Sequence, residues 1–117
     1  MTDREPDCLF CKIVEGEIPS HRVHAEDDVI AFDDIAPRAP LHVLVIPRRH
    51  IADAHALRDT DGDLLAKLFS VARKVAEDAG LEHGYRVVTN VGPDSGQTVF
   101  HLHFHVLGGR PMAWPPG

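Results

Sequence analysis

The chain carries three histidines at alternate positions near its C-terminal end, His101, His103 and His105, with apolar residues between them. Successive side chains of a β-strand point to opposite faces, so a strand here would place the three rings in one row, about 6.5–7 Å apart along the strand. Packing alone gives no reason for such a row. Because imidazole titrates near neutral pH, the row is suited to supply a nucleophile, a proton donor or a metal ligand.

A loop rich in turn residues, 90–98, leads directly into this row. Gly96 leaves room for its backbone to approach a ligand, and the Gln97 amide, the Thr98 hydroxyl and backbone N–H groups can all donate to phosphate oxygens. Such a loop on its own is equally well an ordinary turn. Beside the histidine row it predicts an anion site next to a nucleophile.

A metal enzyme is a second interpretation of the histidine row, and a plain surface cluster of histidines is a third. His-x-His pairs bind catalytic metals in cupin-type barrels, where a carboxylate usually follows within a few residues. Residues 106–117 contain no Asp or Glu. The sequence therefore favours phosphate chemistry at the row over a metal centre.

The two cysteines of the chain, Cys8 and Cys11, have the C-x2-C spacing of half a zinc site. Since the chain has no further cysteine, the other ligands would have to come from different residue types elsewhere. Two reduced thiols without a metal are the alternative. A thioredoxin-type redox pair is disfavoured because no βαβ pattern surrounds the motif.

Composition sets the class of protein around these groups. With 117 residues, 44% of them hydrophobic and 26% charged, the chain is expected to form one globular domain over residues 1–117. The net charge of −6 argues against a surface for nucleic acid. The longest aliphatic run, 43–46, is far shorter than the ~20 residues of a membrane span. The N-terminus lacks the apolar stretch of a signal peptide, so the cytoplasm is the expected location.

Hydrophobic periodicity predicts the elements that position the histidines. A main helix over about 61–79 follows from Leu64, Leu68, Val71 and Val75 at helical spacing, with Gly80 to end it. Short alternating or aliphatic runs between turn residues predict strands. The strands are expected at 22–25, 29–32, 41–46, 85–89 and 99–107, and a short helix at 10–14. This order predicts an α+β domain, an antiparallel meander of about five strands with the main helix packed on it.

Three motifs together resemble one known family. The segment GQTVFHLHFHVLGGR at 96–110 resembles the signature of the histidine triad (HIT) superfamily. The segments WPPG at 114–117 and APLHVLVIP at 39–47 are similar to its nucleotide-binding Hint branch, and the similarity extends over residues 8–117. The resemblance implies a HIT-like fold and a homodimer in which the main helix and one strand join two sheets.

The resemblance also implies a reaction. The middle histidine, His103, would attack the α-phosphorus of a purine nucleoside 5′-phosphoramidate or a related conjugate. Water would then release a nucleoside monophosphate such as AMP from the nucleotidylated histidine, and no cofactor is required for this chemistry. Two further functions stay open: a nucleotide-binding regulatory protein whose hydrolysis is incidental, and a dinucleoside polyphosphate hydrolase.

Further site residues are implied by the same resemblance. His42 would stand behind His103 and fix its tautomer, His105 would contact phosphate and help to protonate the departing amine, and Asp34 would bind the ribose hydroxyls. The base pocket would have apolar walls. The full set of implied nucleotide-binding residues is Asp34, Ile35, Asn90, Gly96, Gln97, Thr98, His103, His105, Phe10, Ile13, Ile18 and Phe32.

The resemblance supplies the missing half of the cysteine site as well. In zinc-bearing relatives, a histidine after the Leu-Val-Ile-Pro strand and the first histidine of the triad complete the shell, and these positions are His50 and His101 here. The implied site is a closed, structural Cys2His2 tetrahedron that ties the N-terminus to the catalytic strand. Many members of the family lack the cysteines, so zinc does not follow from membership alone.

Overall fold

A computed structural model describes residues 4–117; the first three residues of the expected domain lie outside this range. Its main feature is a five-stranded antiparallel sheet with one long helix on one face and a short helix on the other. The elements are α1 (Leu9–Val14), β1 (Arg22–Ala25), β2 (Val29–Asp33), β3 (Leu41–Pro47), α2 (Gly62–Asp78), β4 (Tyr85–Val88) and β5 (Phe104–Gly108), with single 3-10 turns at Ala54–Ala56, Asp59–Asp61 and Pro93–Ser95. The predicted α+β architecture is confirmed. No helix within residues 4–117 is long and apolar enough to cross a membrane.

The strand order differs from a strict meander, because the last strand inserts into the sheet. The order is β1-β2-β3-β5-β4, so β5 pairs with β3 on one side and with β4 on the other. Burial explains why β5, and not β4, lies beside β3. Phe104 and Val106 of β5 are buried, whereas β4 carries partly exposed side chains throughout. The more apolar strand therefore takes the central position and β4 forms the edge.

Strand β5 is also shorter than the predicted segment 99–107. In the β3–β5 ladder Val45 pairs with Phe104, so two further residues in the same register would place Pro47 opposite Leu102. Proline has no N–H to donate to a ladder. The Leu102 N–H instead donates to the carbonyl oxygen of Ile51 in the loop after β3. His101 and His103 thus lie in a segment that precedes the ladder, and only His105 lies within it.

The sheet is buried on both faces. Alternate side chains of the segment that leads into β5 and of β5 itself point into two separate cores, one on each face. The face toward α2 buries Leu102, Phe104 and Val106 against the apolar stripe of the helix, with Leu68 at its centre. The opposite face lies under α1 and buries a second apolar cluster. This cluster consists of Phe10, Ile13, Ile30, Phe32, Leu44 and Ile46. The histidines lie on this second face, so α1 covers the row that the sequence singled out.

The turn between β1 and β2 is tied to α2 through one carboxylate. Glu26 accepts hydrogen bonds from His24 (2.7 Å), Lys67 (3.0 Å) and Lys74 (3.1 Å), and these bonds lower the pKa of Glu26 to about 2. A carboxyl group whose pKa is lower in the folded state binds fewer protons there than in the unfolded state. It stabilises the fold above its ordinary pKa, and that contribution is lost as the pH falls toward 2.

We therefore expect Glu26→Gln to reduce the loss of stability on acidification. Urea unfolding of both proteins between pH 5 and pH 3 measures this, and the midpoint of the wild type should fall more steeply than that of the variant. Glu77→Gln is the matched control, because Glu77 forms only an exposed ion pair with Arg73 on the same helix. Equal slopes for wild type and Glu26→Gln would contradict the expectation.

Candidate functional site

Helix α1 and the histidine row enclose a cavity of about 280 Å³. Cys8 caps the N-terminus of this helix, since its thiol accepts the N–H of Cys11, and the Phe10 side chain in the first turn is buried against the sheet. The Phe10 ring meets those of His103 and Phe32 edge to face, with centroids 5.1 and 5.5 Å apart. The cavity is therefore walled by α1 on one side and by the histidines on the other.

The cavity brings together most of the predicted nucleotide-binding residues. Its lining contains Phe10, Ile13, Ile18, Phe32, Asp34, Ile35, Thr98, His103 and His105. Sequence reasoning missed a further group of lining residues, which are Leu9, Pro19, Ser20, Asp33, Leu44 and Val99. Leu44 was open to prediction, since it alternates with His42 along β3 and therefore shares its face. The result is a largely apolar pocket with two carboxylates, Asp33 and Asp34, and two imidazoles.

The ring of His103 is held in one tautomer. Its Nδ1 lies 2.6 Å from the carbonyl oxygen of His101, and a carbonyl only accepts hydrogen bonds, so Nδ1 carries the proton. The other ring nitrogen, Nε2, keeps its lone pair. Burial lowers the pKa of His103, which keeps the ring neutral at pH 7. A neutral imidazole with a free Nε2 in a cavity wall is able to act as a nucleophile.

The expectation that His42 fixes the tautomer of His103 names the wrong partner. The Nε2 atom of His42 lies 2.8 Å from Nδ1 of His105, and the carbonyl of His101 takes the role expected of His42. Register explains the difference. His42 pairs with Leu107 in the β3–β5 ladder, so its diagonal neighbour on the same face is His105. Burial and the adjoining rings of His103 and His42 lower the pKa of His105 to about 4.

The loop before the histidines differs from its prediction at Gln97. This side chain is buried, and its amide oxygen accepts the Gly92 N–H at 2.8 Å. The amide nitrogen donates to the carbonyl oxygens of Ala52 (3.0 Å) and Val99 (3.2 Å). Gln97 therefore braces the loop and has no amide hydrogen left for a phosphate. Thr98 lines the cavity, whereas Asn90, Gly96 and Gln97 are not part of its lining.

The predicted metal ligands form a cluster beside the cavity. One ligand atom from each of Cys8, Cys11, His50 and His101 lies within 4.8 Å of all the others. The Nδ1 atoms of His50 and His101 are 3.4 Å from the sulfurs of Cys11 and Cys8, respectively. A backbone N–H donates to each sulfur, and donors of this kind stabilise the charge of a thiolate. Two thiols and two imidazoles are the donor set of a structural zinc site.

His101 links this cluster to the nucleophile. Its Nε2 donates to the carbonyl oxygen of Pro47 at 2.8 Å, which leaves Nδ1 unprotonated and directed at the sulfurs. That is the second-shell arrangement a histidine ligand needs. The same residue offers its own carbonyl oxygen to His103. The residues fit a zinc ion, and the ion would hold the peptide that orients His103.

A second cluster of possible metal ligands contains Asp34, His42 and His105. The backbone N–H of Arg38 donates to Nδ1 of His42 at 3.0 Å, so neutral His42 carries its proton on Nε2. Nε2 is the atom that would have to bind the ion, since it faces His105 and the carboxylate of Asp34 at 3.4 Å. The cluster therefore suits a hydrogen-bonded chain and does not suit a catalytic metal.

A family model described as the HIT domain matches residues 15–112. The chain belongs to the HIT family. A solved structure described as a HIT family hydrolase from Legionella pneumophila is 51% identical to this HIT chain, with a TM-score of 0.93, and the match covers 95% of this chain and 100% of the other. The predicted HIT-like fold is thereby confirmed.

Two relatives known by sequence extend over the same part of this HIT chain. An uncharacterized HIT-like protein of Synechococcus elongatus is 48% identical over 111 residues, which cover 95% of this chain and 97% of the relative. A 14 kDa zinc-binding protein of Brassica juncea is 43% identical over 113 residues, which cover 95% of this chain and 100% of that protein. The name of the second relative agrees in kind with the cluster of Cys8, Cys11, His50 and His101.

Proposed function

We propose that this HIT protein, as a member of the Hint-like branch, hydrolyses purine nucleoside phosphoramidates and related nucleotide conjugates at the α-phosphate. The observation that carries the proposal is the state of His103. Its Nδ1 proton is committed to the His101 carbonyl, its Nε2 is free, and its ring forms a wall of the same cavity as the Asp34 carboxylate. A nucleophile and a ribose-binding group thus face one pocket.

The proposed reaction has two displacements. The Nε2 lone pair of His103 attacks the α-phosphorus, the P–N bond breaks, and the amine leaves with a proton. A water molecule then attacks the same phosphorus, the bond to His103 breaks, and the nucleoside monophosphate departs. Donors from Thr98 and His105, which both line the cavity, stabilise the charge on the non-bridging oxygens.

Substrate binding uses the two ends of the cavity. The apolar walls at Phe10, Ile13, Ile18 and Phe32 cover the faces of a purine, since a flat base gains most from aromatic and aliphatic contact. The Asp34 carboxylate lies at the histidine end and accepts hydrogen bonds from the ribose hydroxyls. Ile35, which is fully exposed at the mouth, adds contact to the sugar.

Asp34→Asn is expected to weaken selection for ribose. Hydrogen bonds to a charged acceptor are each worth about 1.5–3 kcal/mol, so kcat/KM for a ribonucleoside phosphoramidate should fall about ten- to a hundredfold. The 2′,3′-dideoxy substrate should lose much less. Steady-state hydrolysis of both substrates measures the difference. Asp78→Asn is the matched control, because Asp78 is an exposed carboxylate at the end of α2, outside the cavity lining.

The direct test is the release of AMP from adenosine 5′-phosphoramidate by the purified wild-type protein. Multiple turnovers with AMP as product support the proposal. Binding of AMP without turnover would favour the regulatory nucleotide-binding protein instead. A diadenosine polyphosphate cleaved much faster than the phosphoramidate would favour the dinucleoside polyphosphate hydrolase.

We further propose that zinc occupies the cluster of Cys8, Cys11, His50 and His101 and that the protein works in the cytoplasm, where thiols persist in reduced form. The proposed homodimer is supported by the open edge of β4 and by two half-exposed aromatic side chains, Phe69 on α2 (52% exposed) and Tyr85 on β4 (41%). Light scattering at micromolar concentration should give twice the chain mass, and a monomer would contradict the dimer.

A further inference from the structure

A backbone donor in the loop between β2 and β3 points at a ring nitrogen of His42. The N–H of Arg38 points at Nδ1 of His42 from 3.0 Å. A backbone N–H can only donate, so Nδ1 of His42 must accept and Nε2 must carry the ring proton. The Asp34 carboxylate, in the same loop and 3.4 Å from Nε2, favours the same tautomer, so the position of this loop sets the tautomer of His42.

The tautomer of His42 in turn fixes the tautomer of His105. The proton on Nε2 of His42 is donated to Nδ1 of His105 at 2.8 Å, which leaves the proton of neutral His105 on its own Nε2. A second proton on His105 would have to enter at Nδ1, where it would meet the Nε2 proton of His42. His105 thus offers a hydrogen bond to whatever the cavity holds and keeps its proton.

The segment after β5 holds the loop from the other side. The Arg110 guanidinium donates to the carbonyl oxygen of Arg38 from Nε (3.1 Å) and from Nη2 (2.9 Å). The neighbouring Gly109 has φ +89°, and a Cβ built on it would come within 2.9 Å of the Pro40 ring. This close approach sets Arg110 beside the loop.

We infer that Arg110 is a positioning residue of the active site, which fixes His105 as a neutral Nε2–H donor through the backbone of Arg38 and the ring of His42. The inference rests on the proposed function, since it assigns His105 to the phosphate oxygens of that reaction. It also replaces the expectation that His105 protonates the departing amine. The proton on the amine comes from the substrate or from water.

Nitrogen NMR of the histidine rings in the substrate-free protein is the test, because it reports each tautomer without any reaction. Wild type should show both His42 and His105 as pure Nε2–H tautomers. Arg110→Gln should convert His42 and His105 into mixtures, with the tautomer ratio changed about tenfold for the loss of one well-held hydrogen bond. Arg110→Lys should behave like Arg110→Gln, since lysine keeps the charge but lacks the two-pronged donor.

Two controls separate this effect from general damage. Arg86→Gln removes a similar guanidinium contact, from Arg86 to the carbonyl oxygen of Ala113 (2.9 Å), and should leave both rings unchanged. Arg38→Ala keeps the backbone N–H and should also leave them unchanged. Arg38→Pro deletes that N–H, so it should free the His42 tautomer even if Arg110→Gln proves too unstable to study.

Kinetics provide a second readout. Arg110→Gln should lower kcat about tenfold with a smaller change in KM, because the donor acts on the phosphate and the base pocket stays intact. Pure Nε2–H tautomers in a folded Arg110→Gln protein, or in Arg38→Pro, would overturn the inference and leave the proposed function standing. Absence of hydrolysis by wild type would overturn the proposed function, whereas the ring spectra would still test the role of Arg110.

Discussion

His103→Ala is expected to abolish AMP release from adenosine 5′-phosphoramidate, with kcat/KM lowered by about 10⁴ or more. No neighbouring ring is able to replace it. The free nitrogen of His101 faces the cysteine sulfurs, and both nitrogens of His105 are committed, Nδ1 to His42 and Nε2 to its proton. His103 is the ring of the row whose unprotonated nitrogen is left for the cavity.

We expect the loss of activity in His103→Ala to come from the chemical step and not from weaker nucleotide binding. AMP should still bind to His103→Ala within a few-fold of the wild-type Kd, since Asp34 and the Phe10 wall are untouched; isothermal calorimetry measures this. The thermal midpoint confirms that the variant is folded. His83→Ala, at an exposed histidine, is the matched control and should retain full activity. If the His103→Ala protein released AMP at the wild-type rate, the nucleophile would have to be another residue.

Removal of the two thiols is expected to have the largest effect on stability. The four ligands come from α1, from the loop after β3 and from the segment before β5, so zinc would join three parts of the chain. At free zinc about a thousandfold above its Kd, binding contributes about 4 kcal/mol to the free energy of unfolding. For a chain of this length such a change lowers the thermal midpoint by more than about 10 °C.

Metal analysis and thermal unfolding test this directly. Wild-type protein purified without chelator should contain close to one zinc per chain, and Cys8→Ser/Cys11→Ser should contain none. The midpoint of wild type should fall toward that of the double variant when a chelator is added, while the variant itself does not respond. Lys12→Ala, on the same helix, should keep both zinc and stability. Wild-type protein free of zinc would remove the site from the proposal.

Local sequence patterns were sufficient to predict the helices and strands and to identify the candidate histidine residues. The helical spacing of Leu64 to Val75 predicted α2 to within a residue or two at each end. The alternation of His101, His103 and His105 with apolar neighbours correctly separated a histidine face from a core face. Both signals come from residues within a turn or a strand of one another, so their period is visible in the sequence itself.

What the sequence by itself determined is the class of the fold, the histidine face and the identity of the groups that do chemistry. Tertiary structure alone decided the hydrogen-bond partners: His42 with His105, His103 with the carbonyl of His101, and Gln97 with the loop backbone. These pairings depend on strand register and on backbone carbonyls such as that of His101. Neither produces a periodic pattern in the sequence. A shift of the register by one residue moves a side chain to the opposite face of the sheet, and every residue carries a carbonyl group that could accept a hydrogen bond.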